Sequence, residues 1–178
     1  MFVWGIDPGL SRCGYAVLDT GRAVAPGRRG AFIGARLAAL GVLTTSPQLS
    51  LPERLHALQH DVRELVAEHP PGAVAIERIL FSVNVRTAIG VAQAAGIVMV
   101  EAIEAGAEVT EYSPNEIKQT VTGDGAADKT QIETMVQRLL HIDRPIRPVD
   151  AADAAAIALC HVARAPMKAR IAAAGGQP

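Results

Sequence analysis

Two short apolar runs, one at the start of the chain and one near its middle, each end on a carboxylate. The first, FVWGID, covers residues 2–7, and the second, GAVAIE, covers residues 72–77. Runs of this length and composition are typical of buried β-strands. Asp7 opens an Asp-Pro-Gly sequence, which alone indicates a turn. A second strand that ends in the same way calls for a further explanation.

The remaining patterns place these two strands in an α/β fold. A hairpin comes first, a third strand follows, and strands then alternate with segments whose apolar residues recur at steps of three and four. The predicted strands cover about 2–7, 14–19, 40–45, 72–77 and 107–112, and the predicted helices about 51–69, 84–106, 114–121, 128–140 and 149–165. This order predicts a mixed sheet with helices on both faces.

Two glycines interrupt the long helix predicted over 84–106. A glycine inside a helix costs about 1 kcal/mol relative to alanine, so a chain tolerates it where something is gained. We therefore expect another backbone to pack closely against Gly90 and Gly96.

Composition and charge bound the remaining possibilities. The length of 178 residues fits one domain, which we assign to 1–164, with 165–178 as a flexible tail. The net charge of −1 means that a polyanion would have to be met by a local basic patch. No basic leader followed by an apolar run is evident at the start, and no apolar run reaches bilayer length, so we expect a cytoplasmic protein without membrane association.

Histidine and cysteine do not form a recognisable metal or disulfide motif. Cys13 and Cys160 lie far apart without a CxxC pair, which argues against a zinc site and a disulfide scaffold. His56 and His60 are one helical turn apart, but no third ligand follows in the pattern. We expect both thiols to be buried and both histidines to be solvated.

Acidic residues form the pattern that points to chemistry. In VDAADAAAIALCH two aspartates lie three residues apart, on one face of a helix. Four acids thus lie in or beside otherwise apolar elements: Asp7, Glu77, Asp150 and Asp153. If the fold brings them together, their mutual repulsion requires a neutralising cation, and hard ions such as Mg²⁺ prefer carboxylate oxygens. Two such ions can activate water and stabilise the leaving oxygen of a phosphodiester, which is nuclease chemistry.

Four blocks of the sequence, in order and spacing, resemble the RuvC Holliday-junction resolvases of bacteria. They are GIDPGLSRCGYAV, VAIERILFSVN, YSPNEIKQTVTGDGAADKTQI and VDAADAAAIALCH, and the resemblance covers most of 2–163. It implies a ribonuclease-H-like α/β fold with a five-stranded mixed sheet flanked by helices. It also implies a homodimer that makes paired nicks in four-way DNA junctions, with two Mg²⁺ ions per active site for which Mn²⁺ can substitute, in partnership with the RuvA–RuvB branch-migration complex.

Carried onto this chain, the resemblance assigns the catalytic and metal-binding roles to the same four acids. It also assigns functional roles to Lys118 and Lys129, which flank TGDG. Gly123 and Gly125 in that loop are weaker candidates, whose backbone amides could approach a phosphate.

Further DNA contacts are expected around the second acid. Arg78 and Arg86 lie close to it in the sequence and would contribute to a positive rim. Relatives place a base-stacking Phe three residues after this acid, where the present chain has Leu80, so Phe81 is our candidate for that contact. The segment Gly21–Ala38 departs from the family pattern and is interpreted as an insertion with solvated arginines.

Three alternatives remain open from the sequence. GIDPG also fits the first hairpin of an actin-like kinase or ATPase, although such folds need a second phosphate hairpin and a longer chain. A ribonuclease-H-like nuclease acting on RNA or hybrids would carry the same acids. A catalytically silent DNA-binding module would not need all four.

Overall fold

A computed structural model of the chain describes residues 1–21, 34–79 and 85–173. The strands are β1 Phe2–Asp7, β2 Arg12–Asp19, β3 Arg36–Thr44, β4 Pro71–Glu77 and β5 Glu108–Tyr112. The helices are α1 Leu51–Glu68, α2 Val85–Glu104, α3 Pro114–Thr122, α4 Lys129–Leu140 and α5 Val149–Ala173.

The five strands form one mixed sheet in the order β3-β2-β1-β4-β5. The strands β1, β2 and β3 are joined by antiparallel pairing, whereas β4 lies parallel to β1 and β5 lies parallel to β4. This topology confirms the predicted α/β class and the hairpin-first order. It also puts β1 at the centre of the sheet, between β2 and β4.

Alternation along the strands divides the interior into two cores. Trp4 and Ile6 of β1 face α1 and α2, together with Val74 and Ile76 of β4. Val3 of β1 and the alternate residues of the neighbouring strands face α3, α4 and α5. Because side chains alternate across a strand, Asp7 and Glu77 belong to the face that α5 covers.

Helix α5 packs directly on β1 and β2 with almost no side chain between them. A Cβ built at Gly5 would overlap the backbone of Ala154 and Ala158, and one built at Gly14 would overlap the carbonyl of Asp150. The α5 positions that face the sheet are largely fully buried alanines. Glycine on the strands and alanine on the helix therefore fix the distance between α5 and the sheet.

Helices α3 and α4 begin at capping boxes that the sequence encodes. Ser113 and Glu116 form one at α3, and Asp128 and Gln131 form the other at α4. None of the helices in the described part of the chain combines the length and the apolar character that a membrane span requires.

Two expectations differ from the structure. Strand β3 begins at Arg36, inside the segment Gly21–Ala38 expected to be an insertion, and residues 22–33 of that segment lie outside the described residues. Only the Leu10 side chain, among the described residues, comes near Gly90, and the space beside Gly96 is open. Among the residues that the structure describes, the expected close backbone contact is therefore wrong.

The end of the chain is helical further than the sequence pattern indicated. Helix α5 continues to Ala173, beyond the boundary at residue 164. The assignment of 165–178 as a flexible tail stays a prediction.

Substituting Gly5 tests how tightly α5 depends on the strand beneath it. We expect Gly5→Ala to destabilise the fold by about 3 kcal/mol or more, because the added methyl meets helix backbone that cannot rotate away. Urea denaturation measures the change. Gly90→Ala is the matched control: it meets only ordinary contacts and should stabilise α2 by about 0.5–1 kcal/mol. A Gly5→Ala midpoint equal to that of the wild type would contradict this packing.

Candidate active site

Strand register places the first two acids side by side. Ile6 of β1 pairs with Ile76 of β4, so the next residues, Asp7 and Glu77, leave neighbouring parallel strands at the same edge of the sheet. On the other side of β1, Gly14 of β2 lies opposite Asp7. The absence of a side chain at Gly14 leaves room for the α5 backbone directly beside Asp7.

The first turns of α5 bring the other two acids to this edge. Asp150 carries the backbone carbonyl that lies against Gly14, and Asp153 follows one helical turn later on the same side. Asp7, Glu77 and Asp153 line one cavity of about 280 Å³. Asp150 is near enough to raise the pKa of Asp7. The structure thus brings together the four acids that the sequence singled out.

The electrostatics of Asp7 reflect this crowding. Burial, reinforced by Glu77, Asp153 and Asp150 in that order, raises the pKa of Asp7 from 3.8 to about 7. The pKa of Glu77 is also raised, mainly by burial and then by Asp153. Adding positive charge to the cavity would favour the ionised form of both groups.

Two basic side chains contact the acids. Lys129 Nζ donates to Asp153 Oδ2 at 3.0 Å, and this hydrogen bond raises the pKa of Lys129. Arg12 Nε and Nη2 donate to Asp150 Oδ2 at 2.9 and 2.7 Å. Sequence reasoning missed Arg12, although the hairpin offered a signal. Arg12 lies two residues before Gly14, so period-two alternation puts it on the α5 face.

The other predicted DNA-contacting residues are distributed around the acids. Lys118 lines the 280 Å³ cavity. Arg78 is exposed and lines a second cavity of about 280 Å³ that shares Asp7 and Glu77 with the first. Phe81 and the side chain of Arg86 lie outside the described residues, as does Leu80.

The backbone amides of the two glycines in the TGDG loop donate hydrogen bonds within the protein. Gly123 ends α3 in the left-handed conformation, and its N–H donates to the Gln119 carbonyl. The N–H of Gly125 donates to the Gln119 side chain at 3.0 Å. Both amides thus already have a hydrogen-bond partner within the protein, which argues against the suggestion that they approach a phosphate.

A second group of potential metal ligands lies on α1, which packs on the opposite face of the sheet. His60, Asp61 and Glu64 bring ligand atoms within 4.8 Å of one another. His60 and Glu64 are exposed and one helical turn apart, an arrangement that surface ion pairing explains. We assign no role to this group.

Chemically, the cavity at the sheet edge offers oxygen ligands to a hard cation and positive side chains to an anion. Four carboxylates on three elements supply the oxygens, and the buried, mutually repelling acids favour a divalent ion over a proton as the pH rises. Lys118 and Lys129 line the same cavity. This combination suits a phosphodiester substrate that is attacked by a water molecule.

Comparison with known proteins places these features in one family. The family model described as crossover junction endodeoxyribonuclease RuvC matches residues 3–161. A relative of that name from Salinispora arenicola is 47% identical over 174 residues, covering 98% of this chain and 94% of the relative. One from Streptomyces griseus is 45% identical and covers 96% and 79%. A solved structure of Thermus thermophilus RuvC in complex with a Holliday junction substrate is 39% identical, with a TM-score of 0.84 over 94% of this chain and 96% of that one.

The raised pKa of Asp7 makes metal-free stability depend on pH. Between the ordinary value of 3.8 and the folded value of about 7, the folded protein binds more protons than the unfolded chain. Stability in EDTA should therefore fall as pH rises from 5 to 8. Asp7→Asn should remove up to about 3 kcal/mol of that fall, because about two units of the pKa shift lie in this window, at about 1.4 kcal/mol per unit.

Urea denaturation at several pH values measures this dependence. Asp19→Asn, at the other end of the same hairpin, is the control, because the Gly21 amide lowers the pKa of Asp19 and the wild-type fall should persist. The same pH profile for wild type and Asp7→Asn would show that the pKa of Asp7 is not raised in the folded protein.

Proposed function

Because the chain belongs to the RuvC family of crossover junction endodeoxyribonucleases, we propose that it resolves four-way (Holliday) DNA junctions by paired symmetric nicks. It is a structure-specific endodeoxyribonuclease that hydrolyses phosphodiesters in DNA recombination and repair. The observation that carries this proposal is the convergence of Asp7, Glu77 and Asp153 in one cavity beside Asp150.

The four acids are the proposed ligands of two Mg²⁺ ions, for which Mn²⁺ can substitute. Two observations support this fit. All four ligands are carboxylates, which hard divalent ions prefer, and a bound cation would lower the raised pKa of Asp7. When bound, the metal supplies an activated water and stabilises the charge that develops on the phosphodiester. Asp7 lies beside Glu77 and close to both α5 acids, so it would hold a bound ion together with them.

The basic residues have proposed roles on the DNA side. Lys118 and Lys129 line the cavity and would hold the scissile phosphate and offset developing negative charge. Arg78 lines the adjoining cavity and Arg86 follows it in the chain, so both would contact the flanking backbone. Phe81 remains our candidate for stacking on a junction base.

The alternatives have less support. The actin-like ATPase requires a second phosphate-binding hairpin, whereas the five strands of the described residues are all accounted for by one sheet. A nuclease for RNA or hybrids would carry the same acids, but the matching family and its curated relatives are named as endodeoxyribonucleases. The convergence of three acids at one cavity, with Asp150 beside it, argues against a silent binding module.

We further propose a homodimer that assembles through α2. Ile89, Val100 and Ile103 are 53%, 54% and 63% exposed, and helical spacing puts them on one stripe with Gly96. The open space beside Gly96 would admit the close backbone approach that the sequence predicted, now from a second copy. Two active sites in one dimer would account for paired nicks.

Cellular context is proposed from the family alone. A bacterial junction resolvase would act in the cytoplasm, where the chromosome lies. The RuvA–RuvB branch-migration complex is the proposed partner there.

Incubation with synthetic substrates tests the proposed activity. With Mg²⁺ the protein should nick a four-way junction symmetrically and leave linear duplex and RNA–DNA hybrid intact. Equal cleavage of the hybrid would favour the RNA-directed alternative. Substantial ATP turnover without DNA would favour the actin-like one.

Asp7→Asn separates binding from chemistry. This variant should bind the junction at least as well as wild type, because a negative charge is removed. Its cleavage rate should fall by more than about 100-fold, because losing a metal ligand costs more activity than losing a residue that only hydrogen-bonds to a ligand. Band-shift and single-turnover nicking assays measure the two quantities, with Asp19→Asn as control. Retained cleavage would remove Asp7 from the proposed metal site.

A charge on the exposed stripe of α2 tests the dimer. Ile103→Glu should weaken self-association about tenfold or more, since an anchor residue of an interface contributes 2 kcal/mol or more. Sedimentation velocity measures the change, and Leu49→Glu, which charges an exposed leucine elsewhere, should leave it unaltered. A wild-type monomer at micromolar concentration would contradict the proposed dimer.

A further inference from the structure

Arg12 forms a hydrogen-bonded ion pair with Asp150, which is one of the four proposed metal ligands. Its Nε and Nη2 both donate to Oδ2 of Asp150, at 2.9 and 2.7 Å. The resemblance in sequence assigned no role to this arginine. Both bonds fall on one oxygen, so Oδ2 has no lone pair left for a divalent ion while Arg12 is in place, and the guanidinium charge repels a cation at the other oxygen of Asp150.

The backbone beneath Arg12 is anchored, whereas its side chain is accessible. Ser11 accepts a hydrogen bond from Arg54 Nη2 at 2.6 Å, and the Thr45 hydroxyl donates to the Leu10 carbonyl at 2.5 Å. These contacts tie the turn between β1 and β2 to β3 and α1. The Arg12 side chain is 50% exposed and that of Asp150 is 31% exposed. Ion pairs at such sites are weak and exchangeable.

We propose that Arg12 is a displaceable counter-ion: it holds Asp150 in the metal-free protein, is released when a divalent ion binds there, and then contacts a phosphate of the DNA. This inference rests on the proposed function and deepens it. It makes Arg12 a positioning residue that couples metal binding to substrate binding.

The DNA half of the inference follows from the charge and shape of the site. A released guanidinium at the rim of four acids needs another anion, and phosphate accepts its forked donors as well as carboxylate does. Lys129 makes the corresponding contact on the other α5 acid, Asp153, at 3.0 Å. Each α5 acid is thus paired with one cation from a different element.

A purely structural role predicts the opposite result for metal binding. If Arg12 only held the first turn of α5 in place, removing it would misplace Asp150 and weaken metal binding. If Arg12 competes with the metal, removing it strengthens metal binding, because both a competitor and a repelling charge disappear. The sign of the change decides between the two roles.

The first measurement is calorimetric titration of Mn²⁺ into the DNA-free protein. Arg12→Gln should bind Mn²⁺ about fivefold more tightly than wild type, the scale of a partly exposed ion pair. Arg12→Lys retains the positive charge but not the forked pair of donors. Its affinity for Mn²⁺ should therefore lie between those of wild type and Arg12→Gln. Arg36→Gln removes the same charge at the opposite end of the sheet, beside Asp19, and should match wild type.

The second measurement is junction binding in Ca²⁺ over a range of salt. The slope of log affinity against log salt should become shallower by about one for Arg12→Gln, as for the loss of one phosphate contact, and stay unchanged for Arg36→Gln.

The outcomes separate this inference from the function on which it rests. If wild type binds Mn²⁺ but Arg12→Gln binds it equally or less tightly, or if the salt slope does not change, the counter-ion role is overturned and the nuclease assignment stands. If wild type binds no Mn²⁺ at all, the proposed metal site itself fails, and the counter-ion role fails with it.

Discussion

The direct contact between the α5 backbone and the central strands is the constraint on which the candidate active site depends. Gly5 and Gly14 leave no side chain between sheet and helix, and alanines on α5 complete the fit. The first turn of α5, with its two aspartates, therefore lies beside the strand that ends at Asp7. A larger residue on either surface would move acids of α5 away from acids of the sheet, so packing and chemistry constrain the same positions.

The four acids repel one another, and among the described residues only two partly exposed ion pairs offset this repulsion. Burial and three neighbouring acids raise the pKa of Asp7 to about 7. The compensating cations, Lys129 and Arg12, come from two different elements and pair only with the more accessible α5 acids. Exposed pairs of this kind contribute little to stability and can exchange partners. The acids are thereby left available to a stronger cation.

The sequence was sufficient for the parts of the site that depend on local periodicity. Two apolar runs that end on a carboxylate predicted β1 and β4, and helical spacing predicted that Asp150 and Asp153 share a face. The contact of Arg12 with Asp150 joins elements far apart in the chain, and only the packing of α5 against β2 brings them together. The start of β3 and the open side of Gly96 were missed for a related reason: propensity does not specify which neighbour an element meets.

Glu101 shows how the same fold treats an acid whose role is structural. It lies almost fully buried on α2 and accepts hydrogen bonds from Gln59 and Arg63 of α1, which lower its pKa. Both of its oxygens are paired, one with each partner, so it stays charged and holds the two helices together. Asp7 is also largely buried, yet its neighbours are acids, and its pKa moves in the opposite direction. One fold thus pairs the acid that it needs for packing and leaves the acid that we propose as a metal ligand without a hydrogen-bonded cation from the described part of the chain.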